Sequence, residues 1–351
     1  MDPDHMKGTP LLTIAIPTWN RATYLEQNLK QLRSEMSGID TGKVEILVSD
    51  NCSSDNTPSV VKDASLSGLP ITYIRNEDNI GWGPNFVQCF KLAKGKYVLL
   101  LGDDDLIIDG ALEILLNRLA GKAFGVVCLR TYGFDWDFRD EYPGSFGNER
   151  VFNDSDEFLL AIGLSITMIS ACVVNKDLVH GADNPEFVSN NLAQLHFVVR
   201  AILAAEENLF INKYLVAIKR NNWADYGFAD VYVKEMWGIL DGYVRMGLNP
   251  NVVRGLESRY LLSYYPWCLL DMRMRLNLSD DLEITLRDFE SRFQNRWLFR
   301  YWLAPILWLP KPLGIIWGGL ATFIGRVAAG DLRRGIAFAW YRLLKKVHWR
   351  K

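Results

Sequence analysis

Five short apolar runs punctuate the first 130 residues: LLTIAI at 11–16, VEILVS at 44–49, ITYIR at 71–75, YVLLL at 97–101 and GVVCLR at 125–130. Between them lie amphipathic stretches of roughly a dozen residues, such as ATYLEQNLKQLRSEM, with the spacing of half-buried helices. Apolar runs alternating with helices predict an α/β fold: a mostly parallel sheet with helices on both faces. Ligands bind such sheets at the carboxyl ends of the strands. There the chain reads PTWNR (17–21), SDNCSSDNT (49–57), RNEDNIGWGPN (75–85) and Gly102 followed by Asp103, Asp104 and Asp105. One polar loop is ordinary in an α/β domain, but four on one edge predict a binding cleft.

Past this point the pattern loosens. Residues 131–165 read as aromatic loop, SITMISACVVN (165–175) as a strand pair or a strand at the sheet edge, NNLAQLHFVVRAILAAEE (190–207) as a helix and LFINKYLVAIKR (209–220) as a strand. Beyond Asp230 the chain is helical and aromatic. The expected organisation is a tag-like or disordered start at 1–9 with the natural beginning at Met6, an α/β domain at 10–229, and a helical, aromatic and basic C-terminal region at 230–351.

Composition narrows the classes. A formal net charge of -2 and a hydrophobic fraction of 49% exclude the basic footprint of a nucleic-acid binder. The charge is uneven, however: 330–351 holds seven Lys or Arg against one acid, Asp331. Five scattered cysteines without a C-x-x-C pair indicate neither a disulfide framework nor a zinc site, and fit a reducing cytoplasm.

The strand-end residues carry the chemistry. Three adjacent carboxylates repel one another, and a divalent cation on a hard-oxygen site relieves that repulsion while bridging to a diphosphate; magnesium and manganese both suit it. The plainer alternative is that one aspartate caps a helix beginning near Ile108 and the others are solvated. A dinucleotide fingerprint is excluded, because PTWNR lacks glycine and GWG at 81–83 lacks the third glycine; no Walker A sequence occurs either. Asp50, directly after the second strand, is placed to hold a ribose or a base edge, whereas Ser53, Ser54 and Asp55 read as helix caps.

IPTWNR, VSDNCSSDNT, NEDNIGWGPNF and GKYVLLLGDDD, in that order, resemble the family-2 glycosyltransferases of the Rossmann-like GT-A fold, and look most like bacterial O-antigen transferases of the abequosyltransferase type. The resemblance is good over 10–130 and loose beyond. It implies inverting transfer from a nucleotide-sugar donor (a UDP-sugar first, a CDP-, GDP- or dTDP-sugar otherwise) to a hydroxyl of a surface glycan or polyprenol-linked acceptor. Mn2+ or Mg2+ would bridge the diphosphate. Residues 10–130 become the nucleotide-sugar half and 131–229 the acceptor half. By the same resemblance Pro17, Thr18 and Asn20 line the base and ribose pocket, Asp50 bonds the base, Asn79 and Gly81 approach the nucleotide, and Asn85 lies beneath the donor. Where the family has an acid before the D-x-D aspartates this chain has Gly102, so metal and diphosphate duties fall on Asp103, Asp104 and Asp105, Asp104 foremost.

The chain departs from the family again at the expected catalytic base. The usual acidic pair falls on Ala193 and Gln194, leaving Glu186, Asp183 and His196 as candidates, with His196 equally readable as a packed histidine on a helix face. Near the end, YWLAPILWLPKPLGIIWGGLATFIG (301–325) carries one charge, Lys311, but Pro305, Pro310 and Pro312 predict a broken, interfacial or re-entrant element rather than a span. With the basic tail it is expected to meet an anionic membrane surface, placing the protein in the cytoplasm at the inner face of the plasma membrane; a tail packed on the domain is the alternative. Two other classes compete: a sugar-nucleotide-forming nucleotidyltransferase, which would want a glycine-rich basic loop where PTWNR stands, and a non-catalytic nucleotide-binding scaffold.

Overall fold

The computed structural model describes residues 9–144, 147–181, 184–220, 227–275 and 279–329. The chain divides into two compact units, Met1–Ala224 and Asp225–Lys351, each described by itself.

In the first unit the strands are β1 (Leu12–Thr18), β2 (Val44–Asp50), β3 (Ile71–Arg75), β4 (Tyr97–Leu100), β5 (Leu106–Ile107), β6 (Val126–Phe134), β7 (Arg150–Phe152), β8 (Cys172–Asn175) and β9 (Asn208–Lys219). The helices are α1 (Ala22–Glu35), α2 (Thr57–Leu66), α3 (Trp82–Leu92), α4 (Ala111–Gly121), α5 (Ser155–Ile162), α6 (Pro185–Val188) and α7 (Ala193–Ala204). All the strands join one sheet of order β3-β2-β1-β4-β8-β6-β9-β5, with β7 also paired to β9.

Only the half β3-β2-β1-β4 is purely parallel. Beyond it β8 runs antiparallel to both β4 and β6, and β6 and β9 return to parallel. The sheet is therefore mixed rather than mostly parallel. The segment expected as a strand pair or an edge strand is neither: residues 163–171 form two tight 3-10 turns, and only Cys172–Asn175 enters the ladder, inside the sheet. Those turns follow the needs of the strand end beside them, because Ser170 is buried and receives the Gly102 amide at 2.9 Å.

β1, β2 and β4 are buried along their whole length. On one face Leu12, Ile14, Ile16, Ile46, Val48 and Leu99 pack with Leu25 and Leu29 of α1 and Leu112 and Leu115 of α4. Against the other face lie α3 and α7, whose Phe90 and Phe197 rings stack 4.1 Å apart. Removing such large apolar surfaces from water is the main drive for the layered arrangement.

The second unit contains α8 (Met236–Arg245), α9 (Pro250–Arg259), α10 (Tyr265–Arg275), α11 (Ser279–Phe293), α12 (Pro305–Trp308) and α13 (Lys311–Ala328). Its centre is aromatic: Trp237 donates from its indole to the Tyr265 hydroxyl at 2.9 Å, and Tyr260, Phe289 and Phe293 surround the pair. Arg292 joins Asp241 to the largely buried Glu257. The expected break falls at the prolines: α12 ends at Trp308, Leu309 and Pro310 are extended, and α13 begins at Lys311. Pro305 opens α12, and Pro310 and Pro312 occupy the cap and first turn of α13, where a missing N–H costs nothing.

Gly125 precedes β6 where α7 passes close by. A Cβ there would lie 2.4 Å from the Ala201 carbonyl oxygen and 2.4 Å from Ala205 Cβ, neither of which can swing aside. Gly125→Ala is expected to destabilise the chain by about 1–3 kcal/mol, read as a lowered urea midpoint; an unchanged midpoint would mean α7 is free to shift.

Candidate active site

Sheet register assembles the site. Thr18, the last residue of β1, is opposite Asp50 at the end of β2, which is opposite Arg75 at the end of β3. On the other side Ala15 is opposite Leu100, and the Leu101 amide donates to the Ala15 carbonyl. Continuing that register brings the turn after β4 level with Thr18, whose hydroxyl donates to Asp103 Oδ2 at 2.8 Å.

The three aspartates have different partners. Arg21, just past β1, spans two of them, with Nε 3.3 Å from Asp103 and a terminal nitrogen 2.7 Å from Asp104. Asp105 turns away: it accepts from the Ser170 hydroxyl at 2.5 Å and from the Lys219 amide, at the end of β9, at 3.1 Å. Helix α1 fastens the turn from beneath through Asn28, which donates to the carbonyls of Gly102 and Asp105, and Gln31, which donates to that of Ile107. No aspartate of the triplet caps a helix, because β5 intervenes and α4 starts only at Ala111 behind Gly110.

Burial opposes the charge on all three carboxyls. It lifts Asp103 to about 7, against the pull of Arg21 and with added repulsion from Asp104. Desolvation also raises Asp104, opposed by Arg21, and Asp105, reinforced by Asp104. One guanidinium thus faces more buried carboxylate than it neutralises. A hard divalent cation suits Asp103 and Asp104 by this donor chemistry, whereas both oxygens of Asp105 are engaged elsewhere. Among the described residues no group of three or more His, Cys, Asp or Glu converges on a metal position. A two-carboxylate site leaves the remaining positions to phosphate and water, as is common for magnesium.

The second wall is built around Asp50 and Asn51. Asp50 is fully buried and accepts from the Tyr73 hydroxyl at 2.6 Å and the Ser53 amide at 2.8 Å, with Arg75 at 3.6 Å; it also holds the Tyr73 phenol protonated far above its usual range after burial has raised it. Asn51 shapes the loop after β3, donating to Asn79 and to the Gly81 carbonyl and accepting from Asn76 and the Ile80 amide. Gly81 takes a φ of 85° at the start of α3, a conformation that favours glycine. Asn20, with φ 54°, receives the Ser54 amide while its own amide donates to Ser53. Asp55 accepts from the Ala22 amide and from Thr57, tying together the starts of α1 and α2.

Pro17 is buried within β1. Asn85 is buried too, exchanging hydrogen bonds with Ser49 and pinning α3 to β2. Glu186 sits exposed in α6, its amide capped by Asn184. The segment following it lies beside the start of α3: the Trp82 indole donates to Asn191, and the Gly83 position is in close contact with the Asn190 carbonyl. His196 is buried, stacked on Phe187 at 4.6 Å, with its Nε2 3.3 Å from Asn190 Nδ2. Ala193 and Gln194 are buried, and Gln194 Oε1 has no hydrogen-bond partner. Asp183 lies outside the described residues. The sequence reading gave no role to Arg21, Asn51, Tyr73, Asn28 or Ser170. Arg21 had a visible signal, as the one cation in the first strand-end loop.

Such a mixed sheet, with nucleotide-type loops along one carboxyl edge, is the GT-A architecture. The first 349 residues of Staphylococcus aureus TarS, solved with UDP, share the fold at a TM-score of 0.57 and 15% identity over 94% of this chain and 91% of that one. The family model "Glycosyl transferase family 2" matches residues 13–181. The abequosyltransferase RfbV of Salmonella typhimurium is 35% identical across 80% of this chain and 89% of its own length. A Campylobacter jejuni GalNAc(5)-diNAcBac-PP-undecaprenol beta-1,3-glucosyltransferase is 37% identical across 73% of this chain and 82% of its own. The chain belongs to glycosyl transferase family 2, and it is a glycosyltransferase.

Burial, with a smaller contribution from Arg200, lowers the His196 pKa from 6.5 to about 4. The folded chain therefore excludes a proton that the unfolded chain takes up below pH 6.5, so stability from this site is lost as pH falls from 6.5 towards 4. His196→Gln is expected to weaken the acid-side decline in urea-measured stability relative to the parent chain. Parallel pH profiles for the two would contradict a buried neutral ring.

Proposed function

We propose that this transferase moves a sugar, with inversion, from a nucleoside diphosphate sugar to a hydroxyl of a bacterial surface glycan or polyprenol-linked oligosaccharide. The observation that carries this reading is the Asp103–Asp104 pair, set by sheet register beside Thr18 and in line with Asp50. The acceptor class is supported by the relatives, one an abequosyltransferase and one named for an undecaprenol-linked substrate. A UDP-sugar is the first donor to test, followed by CDP-, GDP- and dTDP-sugars. Residues 10–130 serve as the donor half, 131–229 as the acceptor half, and 230–351 as a C-terminal region that meets an anionic membrane surface from the cytoplasmic side.

Asp103 and Asp104 would hold Mn2+ or Mg2+, which supplies Lewis-acid neutralisation of charge on the departing diphosphate. Thr18 fixes the orientation of Asp103. Arg21 neutralises the carboxylates and is long enough to turn towards phosphate oxygens. Asp50, through Tyr73 and the Ser53 amide, rigidifies the wall on which Pro17, Thr18 and Asn20 face the nucleoside, while Asn79 and Gly81 present the loop that Asn51 folds. Glu186, exposed and followed by a segment that touches the start of α3, is the group assigned to take the acceptor proton. His196 acts through Asn190 as a positioning residue.

With full-length protein, Mn2+ and a panel of nucleotide sugars, donor turnover is expected for one donor class and is expected to fall about 100-fold or more in Asp104→Ala. Glu186→Gln should lower turnover while leaving donor affinity within about twofold. No metal-dependent binding of any donor would sink the reading. Arg21 stands between the carboxylates that a cation needs, so Arg21→Ala is expected to bind Mn2+ about tenfold more tightly without nucleotide, about 1.4 kcal/mol by titration calorimetry. Equal or weaker binding would show that Arg21 does not compete.

A further inference from the structure

Helix α13 is built inside out. Its buried positions are Gly314, Gly318, Ala321, Thr322 and Gly325, and every exposed position from 312 to 329 is apolar. The largest are Leu313 at 52%, Ile316 at 69%, Leu320 at 48%, Phe323 at 55% and Val327 at 47% exposed. These recur at the spacing of one helix face. A surface helix in water does the reverse, turning its apolar stripe to the core and polar residues outward.

The inner face explains how the unit tolerates this. A Cβ at Gly314 would lie 2.7 Å from the Ile306 carbonyl oxygen, and one at Gly325 would lie 2.3 Å from that of Leu262. The helix thus seats backbone against backbone on small residues, with the Trp317 indole donating to the Trp302 carbonyl at 2.9 Å, while Leu313, Ile316, Leu320, Phe323 and Val327 are left turned outward. Large apolar groups held outward on a firmly seated helix constitute a binding face.

We propose that this face of α13 lies in the plane of an anionic lipid surface, with its apolar side chains in the boundary between headgroups and acyl chains. This deepens, and rests on, the membrane-facing part of the proposed function. Three observations select lipid as the occupant. Exposed Trp297, Tyr301 and Trp308 belong to the same unit, and such amphipathic rings favour the headgroup level. Lys311 opens the helix and Arg326 closes it, the latter packed over the Trp267 ring, so the apolar stripe is bracketed by cations. The sequence then continues into residues 330–351, with seven Lys or Arg and one acid, matching anionic headgroups at about 1 kcal/mol per cation near the surface. Among the described residues no helix is long and apolar enough to cross a membrane. The stripe from Leu313 to Val327 is only about 21 Å long at 1.5 Å per residue, which suits an in-plane helix.

The test is cosedimentation of the full chain with vesicles of phosphatidylcholine alone and of phosphatidylcholine with phosphatidylglycerol. Binding is expected to be stronger on the anionic vesicles and to fall about tenfold or more in Ile316→Asp/Phe323→Asp, both positions being exposed so that the thermal melt is unchanged. Donor binding, measured without vesicles, is expected to be unaffected, so failure here and failure of the transferase reading are separable. Nitroxide labels on Ile316→Cys and Phe323→Cys should report equal depths. Undiminished vesicle binding by the double variant, or depths that differ by the helical rise between the labels, would overturn the proposal. So would loss of a concentration-dependent dimer with lipid binding intact, which would assign the face to a second copy of the chain.

Discussion

Three consecutive carboxylates can close a buried strand only if each is given its own partner, and the first unit is arranged around that requirement. Thr18 and Arg21 at the end of β1 take Asp103, Arg21 also reaches Asp104, and Ser170 with the Lys219 amide takes Asp105. The partners come from the start, middle and end of the unit. Strand order, the position of β8 inside the sheet and the 3-10 turns before it all bear on where these donors fall. Buried charge left without such donors would cost several kcal/mol, so the fold and the site are one electrostatic solution.

The remaining walls obey a similar economy of hydrogen bonds. Asn51 makes four hydrogen bonds to the loop after β3, using both ends of its amide. Asp55 satisfies amides at two helix starts. Short polar side chains at strand ends therefore act first on neighbouring backbone, and a nucleotide would meet a surface whose shape is already fixed.

Much of this was legible in the sequence because burial on both faces writes an unbroken apolar run. The first four strands appear where LLTIAI, VEILVS, ITYIR and YVLLL stand, and the GT-A class and family follow from the loops behind them. What could not be read depends on the third dimension. Strand direction beyond β4 is set by chain paths with no local signature, so a mostly parallel sheet was expected and a mixed one formed. The division of labour among the aspartates rests on Ser170 and Lys219, 65 and 114 residues away. Prolines 305, 310 and 312 do break the apolar run, but each by starting a helix, Pro305 and Pro312 in first turns and Pro310 as a cap, and which helices they start could not be read from the pattern. The base remains a proposal because the acids expected in α7 are replaced by the buried Ala193 and Gln194.

Gly102 ties the two following carboxylates to the turn that it opens. A Cβ there would lie 2.9 Å from Asp105 Oδ2 and 3.1 Å from Asp104 Oδ1, so the space of a side chain at 102 is already taken by the carboxylates that follow. A side chain there would crowd the Asp105 oxygen that accepts from Ser170, so a substitution at 102 acts on carboxylates beyond its own position. The glycine and the carboxylates that fold back over it therefore form one geometric unit, in which position 102 cannot change without displacing the side-chain oxygens that follow it.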